Sequence, residues 1–142
     1  MELRNPLTLP QGDVRYLRHT HEVACLSSDS VGDPVCIRDD RINGKWRVEQ
    51  ANPYDDTKMP AIGILIAKST PTVGVVQIFG PIENIFTGLD FTKPSYIVGT
   101  AGIQLAAPPP GPLGFAWVQH IGKAVASDIL FLSGTLSLLK RK

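Results

Sequence analysis

Glycine and proline punctuate the whole chain, and their spacing limits the fold more than any other feature of the sequence. The 142 residues include 13 glycines and 12 prolines, which are spread along the chain rather than pooled in one tract. They divide the apolar residues into short runs separated by turn signals, with no sustained helical period over about ten residues. The pattern predicts an all-β fold, a small antiparallel β-barrel or β-sandwich of roughly eight to ten short strands with an extended N-terminal arm.

Turn chemistry places two hairpins. Asn43 and Gly44 lie between β-compatible residues, and this pair supplies the positive φ that a type I′ turn requires at both central positions. Gly99 and Gly102 flank two residues where a second tight turn is predicted. Gly63, inside an apolar run, indicates a bulge or a close approach between two backbones.

The stretch from residue 96 to residue 139 is expected to close the sheet. It contains a proline-rich crossing at residues 108–110, because proline donates no hydrogen bond and is excluded from central strands. Two apolar strands follow, over residues 117–121 and 129–132, and residues 122–124 are predicted to join them. Earlier in the chain, residues 50–58 read as a loop with room for one helical turn.

The chain divides into an N-terminal arm, residues 1–22, and a β-barrel domain, residues 23–142. The arm is interrupted by prolines and shows no sustained period, yet it is too apolar for an ordinary solvated tail. We expect an extended arm that lies on its own barrel or on a neighbouring subunit, and the alternative is a first edge strand over residues 14–17. The apolar residues expected to make contact are Leu3, Leu7 and Leu9.

Charge and hydropathy argue against two classes of partner. The formal net charge is +1, which gives no electrostatic reason to expect nucleic acid. No N-terminal run has the order of a signal peptide, and no apolar run approaches the roughly 20 residues of a membrane span. The expectation is a soluble protein made in a cytoplasm, with neither nucleic acid nor membrane as its partner.

Two histidines and two cysteines are the residue types of a zinc site, but their spacing matches no known finger or ribbon. His19 and His21 precede the single cysteines Cys25 and Cys36. The interpretation favoured is two surface histidines and two packed, reduced thiols, although the sequence also permits one disulfide.

Acidic and hydroxyl side chains form no recognisable catalytic device either. The aspartate pairs at 39–40 and 55–56 are best explained by loop solvation and turn capping, because adjacent residues of an extended chain point to opposite faces. Ser127 lacks the G-x-S-x-G context of a nucleophile, and His120 lies on a separate strand. We predict no catalytic residue, no metal and no cofactor, and therefore no enzyme.

An ordered series of short motifs runs through the predicted barrel. It consists of GDPV at 32–35, MPAIGI at 59–64, VVQIFG at 75–80, YIVG at 96–99, QHIGKAV at 119–125 and ILFL at 129–132. This order, over residues 23–133, resembles the capsid decoration (cement) proteins of tailed phages and the capsid-bound base barrels of their head fibres.

The resemblance implies a structural virion protein that binds the major capsid protein on the outer capsid surface, often as a homotrimer. Such a protein would be made in the cytoplasm of a host bacterium and would stabilise the shell without chemistry. Another virion component on the same barrel, such as a head fibre, neck or tail protein, is the first alternative. A barrel that binds a small ligand or a carbohydrate is the second. Beyond the arm, the predicted contact residues are Pro109, Pro110, Leu113 and Phe115.

We expect the purified protein to be a homotrimer whose contacts involve the proline-rich crossing. Leu113 and Phe115 stand next to the prolines, and a monomeric barrel would leave them partly wet. Light scattering should give the mass of three chains of 15.4 kDa each. The mass of one chain, unchanged at high concentration and in assembled particles, would contradict this prediction.

Overall fold

The computed structural model describes residues 19–99, 102–105, 117–133 and 139–140. These residues form an all-β structure without an α-helix, as the glycine and proline spacing predicted. One turn of 3-10 helix, Asp56–Lys58, occupies the loop where a single helical turn was expected. The strands are β1 (Thr20–Ala24), β2 (Pro34–Ile42), β3 (Lys45–Gln50), β4 (Gly63–Thr70), β5 (Val73–Gln77), β6 (Gly80–Glu83), β7 (Tyr96–Gly99), β8 (Gly102–Leu105), β9 (Trp117–Val118), β10 (His120–Ala126), β11 (Ile129–Leu132) and β12 (Leu139–Lys140).

The first five strands form a closed barrel. Their order around the barrel is β1-β3-β2-β4-β5, and most neighbours pair antiparallel. The contact that closes the barrel is different, because β1 runs parallel to β3 and pairs with it at Ala24 and Arg47. The antiparallel barrel predicted from the sequence is confirmed, apart from this closing contact.

A second sheet packs against the barrel. It contains five strands in the order β6-β11-β10-β7-β8, and all its neighbours are antiparallel. β9 and β12 form a separate two-stranded ribbon. The fold therefore combines a barrel with a packed second sheet, where the sequence had offered the barrel and the sandwich as alternatives.

The apolar core has two parts, and the alternation of side chains along β2 shows why. Val35 points into the barrel, whereas the next residue, Cys36, points out toward the second sheet. The inner part fills the barrel with Val23, Cys25, Val35, Val48, Leu65 and Val76. The outer part lies between the barrel and the second sheet and includes Cys36, Ile64, Tyr96, Val98, Ile121, Leu130 and Leu132.

The turn predictions are confirmed at three positions. Asn43 and Gly44 have φ of 51° and 77°, as a type I′ turn requires. Gly99 pairs with Gly102 at the end of the β7–β8 hairpin. Gly63 is a close backbone approach, because a Cβ added there would lie 2.3 Å from the carbonyl oxygen of Gln77.

The predicted turn at residues 122–124 is wrong. These residues belong to β10, which continues to Ala126, and the chain turns at residues 127–128 instead. Gly122 allows β10 and β11 to approach closely, because a Cβ at this position would lie 2.5 Å from the carbonyl oxygen of Phe131. The apolar run that follows Trp117 is also split, into β9 and β10.

The predicted arm and contact residues lie outside the described residues. This holds for Leu3, Leu7, Leu9, Pro109, Pro110, Leu113 and Phe115, so their roles stay predictions. The first described strand starts at Thr20, inside the segment assigned to the arm. In the described part of the chain, no helix has the length and apolar character needed to cross a bilayer.

Replacing Gly63 should be more damaging than replacing Gly44, although only Gly44 has a positive φ. Gly63→Ala forces a methyl group into the backbone of β5 and should lower the free energy of unfolding by about 3 kcal/mol, at the top of the usual range for overpacking. Gly44 faces open space, so Gly44→Val should lower it by only about 1–2 kcal/mol through strain. Urea unfolding of both variants measures the difference. Equal losses would contradict the close approach, and a wild-type melting temperature for Gly44→Val would contradict the turn.

Candidate functional site

The barrel is open at one end, where an apolar cavity of about 330 Å³ enters its interior. Val23 and Val76, both buried, lie at its base and belong to the inner core. His21, Ile37, Trp46, Ile62 and Ile78 line its walls. We call this cavity the barrel-mouth cleft.

Strand register brings the walls of the cleft together. The start of β1 lies beside the end of β5, because Thr20 pairs with Gln77. The start of β4 lies at the same level, because Ile64 also pairs with Gln77. His21, Ile62 and Ile78 therefore meet at one end of the barrel although they are far apart in the sequence.

The outer part of the β2–β3 hairpin forms the opposite wall. β2 pairs with β4 at Pro34 and Val35, whereas its pairing with β3 continues much further toward the hairpin tip. Ile37 and Trp46 on this extension are 43% and 46% exposed. The guanidinium of Arg41 lies 4.0 Å from the centre of the Trp46 ring. Large apolar side chains that stay exposed beside a cavity indicate a binding surface.

The N-terminal segment joins the barrel at the rim of this cleft. The backbone N–H of Ile78 donates to the carbonyl oxygen of His19 at 3.0 Å. His19 has a φ of 49°, and its ring packs edge-on against Phe79 at 5.8 Å between centroids. His19, the first described residue, therefore lies next to the cleft on the side of β5.

A shallower groove lies on the outer face of the second sheet. Phe79 and Phe131 form one side, with ring centroids 5.5 Å apart. The Ser95 hydroxyl lies 2.6 Å from Nδ1 of His120, and Lys123 donates from its ammonium group to the carbonyl oxygens of Phe91 and Lys93.

The groove contains a hydrogen-bonded serine–histidine pair, but its serine is Ser95 and not Ser127, the serine weighed as a nucleophile in the sequence. His120 pairs with Ser95, while Ser127 lies in the turn between β10 and β11. In a catalytic site, the histidine that activates a serine is itself oriented by a third group. Here the Ser95 hydroxyl also lies 3.2 Å from the carbonyl oxygen of Tyr96, to which it can donate. No sequence motif connects Ser95 to His120, because strand pairing alone brings them together.

The two cysteines are free and buried, as the sequence interpretation expected. Cys25 belongs to the core inside the barrel and Cys36 to the core outside it. Burial, with a smaller contribution from Glu49, raises the pKa of the Cys36 thiol to about 11. Burial also raises the pKa of Cys25. Among the described residues, no group of three or more His, Cys, Asp or Glu side chains is placed to hold a metal ion.

Turn capping explains the second aspartate pair. The Asp55 carboxylate accepts hydrogen bonds from the hydroxyl and the backbone N–H of Thr57, and these bonds lower the pKa of Asp55. Asp56 accepts a hydrogen bond from the indole N–H of Trp117. The first pair, residues 39–40, lies in β2, and its side chains are outside the described part of the structure.

Comparison with known proteins gave no match to a protein family, a curated protein or a solved structure.

The Cys36 thiol should make stability fall at high pH. The folded state keeps the proton up to about pH 11, whereas the unfolded chain loses it near pH 9. The free energy of unfolding should therefore decrease between these values by about 2 kcal/mol, at about 1.4 kcal/mol per pKa unit. Denaturant unfolding of wild type and Cys36→Ala across this range measures the decrease.

Cys25→Ala is the matched control and should keep most of this decrease. An identical pH dependence in wild type and Cys36→Ala would contradict the assignment to Cys36.

Proposed function

We propose that this protein is a structural virion protein that binds the outer surface of a tailed-phage capsid and stabilises the shell, a decoration or cement protein. It acts through buried apolar contact and not through catalysis. The partners are the major capsid protein and further copies of the same chain. The order of motifs over residues 23–133 and the all-β barrel support this proposal.

The observation that carries the proposal is the concentration of apolar surface at one end of the barrel. Ile37 and Trp46 remain exposed there, and His19, directly before β1, is hydrogen-bonded to Ile78 at the same end. The leucines of that segment add further apolar side chains. An exposed apolar surface next to an apolar arm suits contact with a large partner better than it suits a reaction.

Repetition explains how small contacts could stabilise a shell. Each buried leucine contributes about 1.5–3 kcal/mol by removal from water, before the cost of association is subtracted. A shell presents the same contact at every equivalent position, so a modest gain for each copy accumulates over the particle. The arm therefore needs only a few anchoring side chains.

The barrel-mouth cleft is less suited to a sugar or another polar ligand. Among the described residues that line it, His21 and Trp46 carry polar groups, the imidazole and the indole N–H, and the other side chains are apolar. Small-molecule sites usually combine an apolar wall with several converging polar groups.

A head-fibre, neck or tail protein would use the same barrel and the same apolar end. The experiment must therefore determine where on the particle the protein binds.

Leu7→Ser/Leu9→Ser should weaken attachment to capsids at least tenfold while leaving the barrel folded. Each substitution removes a contact of the arm, and about 1.4 kcal/mol corresponds to a factor of ten in affinity. Empty shells assembled from the major capsid protein of the same genome are mixed with the purified chain, and bound protein is measured by co-sedimentation. Electron microscopy of the wild-type mixture should show added density on the outside of the shell.

The matched control is Phe91→Ser. Phe91 is 57% exposed on the loop between β6 and β7 and does not line the cleft, so its loss should leave binding unchanged. Wild-type protein that leaves shells bare would overturn the proposal. Tight binding by the double variant would remove the arm from the attachment and leave the barrel loops to provide it.

A further inference from the structure

We propose that Asn43, at the tip of the β2–β3 hairpin, is a site of spontaneous chemical modification. Its side-chain amide is lost as ammonia, and the residue becomes a mixture of aspartate and isoaspartate. Isoaspartate loosens the wall of the barrel-mouth cleft that carries Trp46. The inference concerns the isolated protein and does not rest on the proposed function.

The reaction needs only the two residues of the turn and water. The backbone nitrogen of Gly44 loses its proton and attacks Cγ of Asn43, the Cγ–Nδ2 bond breaks, and ammonia leaves, so that a five-membered succinimide ring forms. Water then opens the ring. Cleavage between the ring nitrogen and Cγ gives aspartate. Cleavage between the nitrogen and the main-chain carbonyl carbon gives isoaspartate, in which the main chain runs through Cγ.

The hairpin tip presents both reacting groups to water. Asn43 and Gly44 are exposed, and strand pairing ends at Ile42 and Lys45, so the N–H of Gly44 lies in the loop and not in the ladder. Gly44 has no side chain to crowd the attacking nitrogen. Apart from its chain neighbours, no described atom lies within 4 Å of the place that a Cβ on Gly44 would take. The succinimide can therefore form at this position without a steric clash.

The attack also requires Asn43 to leave its turn conformation, and the outer hairpin permits this more easily than the core does. β2 pairs with β4 at Pro34 and Val35, and beyond Val35 the described pairing of β2 is with β3. That ladder has a register shift between Ile37 and Arg41. Segments with few packed neighbours open locally at a lower cost in free energy than core strands. The tip therefore reaches the reactive geometry while the barrel stays folded.

Isoaspartate changes the hairpin more than aspartate does. Aspartate tolerates the positive φ of 51° that Asn43 has in the turn. Isoaspartate adds a methylene group to the main chain of a two-residue loop, and the type I′ geometry depends on that loop length. The next pairs along the hairpin are Ile42 with Lys45 and Arg41 with Trp46, where the guanidinium lies 4.0 Å from the centre of the ring. A longer tip therefore disturbs the register that places Trp46 at the wall of the cleft.

Asn84 provides an internal control for the modification. It is exposed and has a φ of 64°, like Asn43, but Ile85 follows it instead of a glycine. In the purified full-length protein at mildly alkaline pH, Asn43 should lose its amide about tenfold faster than Asn84, because the β-branched side chain of Ile85 crowds the attacking nitrogen. Peptide mapping by mass spectrometry measures both rates and the share of isoaspartate. An amide that stays on Asn43, or that is lost no faster than that of Asn84, would overturn the proposal.

Trp46 reports on the structural consequence. In a Trp117→Phe background it is the remaining tryptophan, and because it is 46% exposed, its full release would about double its acrylamide quenching constant. After incubation, the constant should rise toward this limit in proportion to the isoaspartate found at position 43. The matched control is Asn43→Gly, which keeps a residue pair suited to the type I′ turn but has no side-chain amide, and its constant should not change. An unchanged constant in isoaspartate-containing protein, or an equal rise in Asn43→Gly, would overturn the effect on the cleft.

Discussion

The side-chain amide of Gln119 joins the two halves of the fold. Gln119 is 1% exposed, and its Oε1 accepts from the N–H of Ala61 at 2.8 Å while its Nε2 donates to the carbonyl of Ala61 at 2.7 Å. Both ends of the amide are satisfied by one backbone position, which matters because an unpaired buried polar group costs about 1–3 kcal/mol. Ile62, the next residue, is a wall of the barrel-mouth cleft. The pair therefore holds one side of the cleft in place from the second sheet.

A second buried glutamine fixes the other side. Gln77 is also 1% exposed, and its Nε2 donates to the carbonyl oxygens of Phe79 and Pro81. These bonds determine how the chain leaves β5 and enters β6, and so they position Ile78 in the cleft and Phe79 beside His19. Two walls of the open end, Ile62 and Ile78, thus lie directly beside backbone positions that buried glutamine side chains hold by hydrogen bonds.

Local chemistry predicted the local features well. The positive φ of Gly44 and the close approach at Gly63 follow from residue type and immediate neighbours, and the structure has both. Features that depend on distant pairing were not predictable in the same way. Gly122 was predicted to lie in a turn, because the sequence does not show what it packs against. The carbonyl of Phe131 comes close to it only through strand pairing in the second sheet. The cleft could be predicted only with the strand order of the barrel in hand, since no sequence motif places Trp46 opposite Ile78.

Polar side chains in the described part of the chain largely stabilise the fold. The Asp29 carboxylate accepts from the backbone N–H groups of Leu26 and Gln50, and Lys68 donates to three carbonyl oxygens of the same loop. Lys123 is used in the same manner on the second sheet. Side chains held this way are poorly placed to bind and release a polar substrate. Apolar surface is what such a scaffold can still offer to a partner, and among the described residues Ile37 and Trp46 are left exposed beside the cavity at the barrel mouth. The apolar surface at the barrel mouth is therefore carried by segments whose positions the buried amides of Gln77 and Gln119 help to fix.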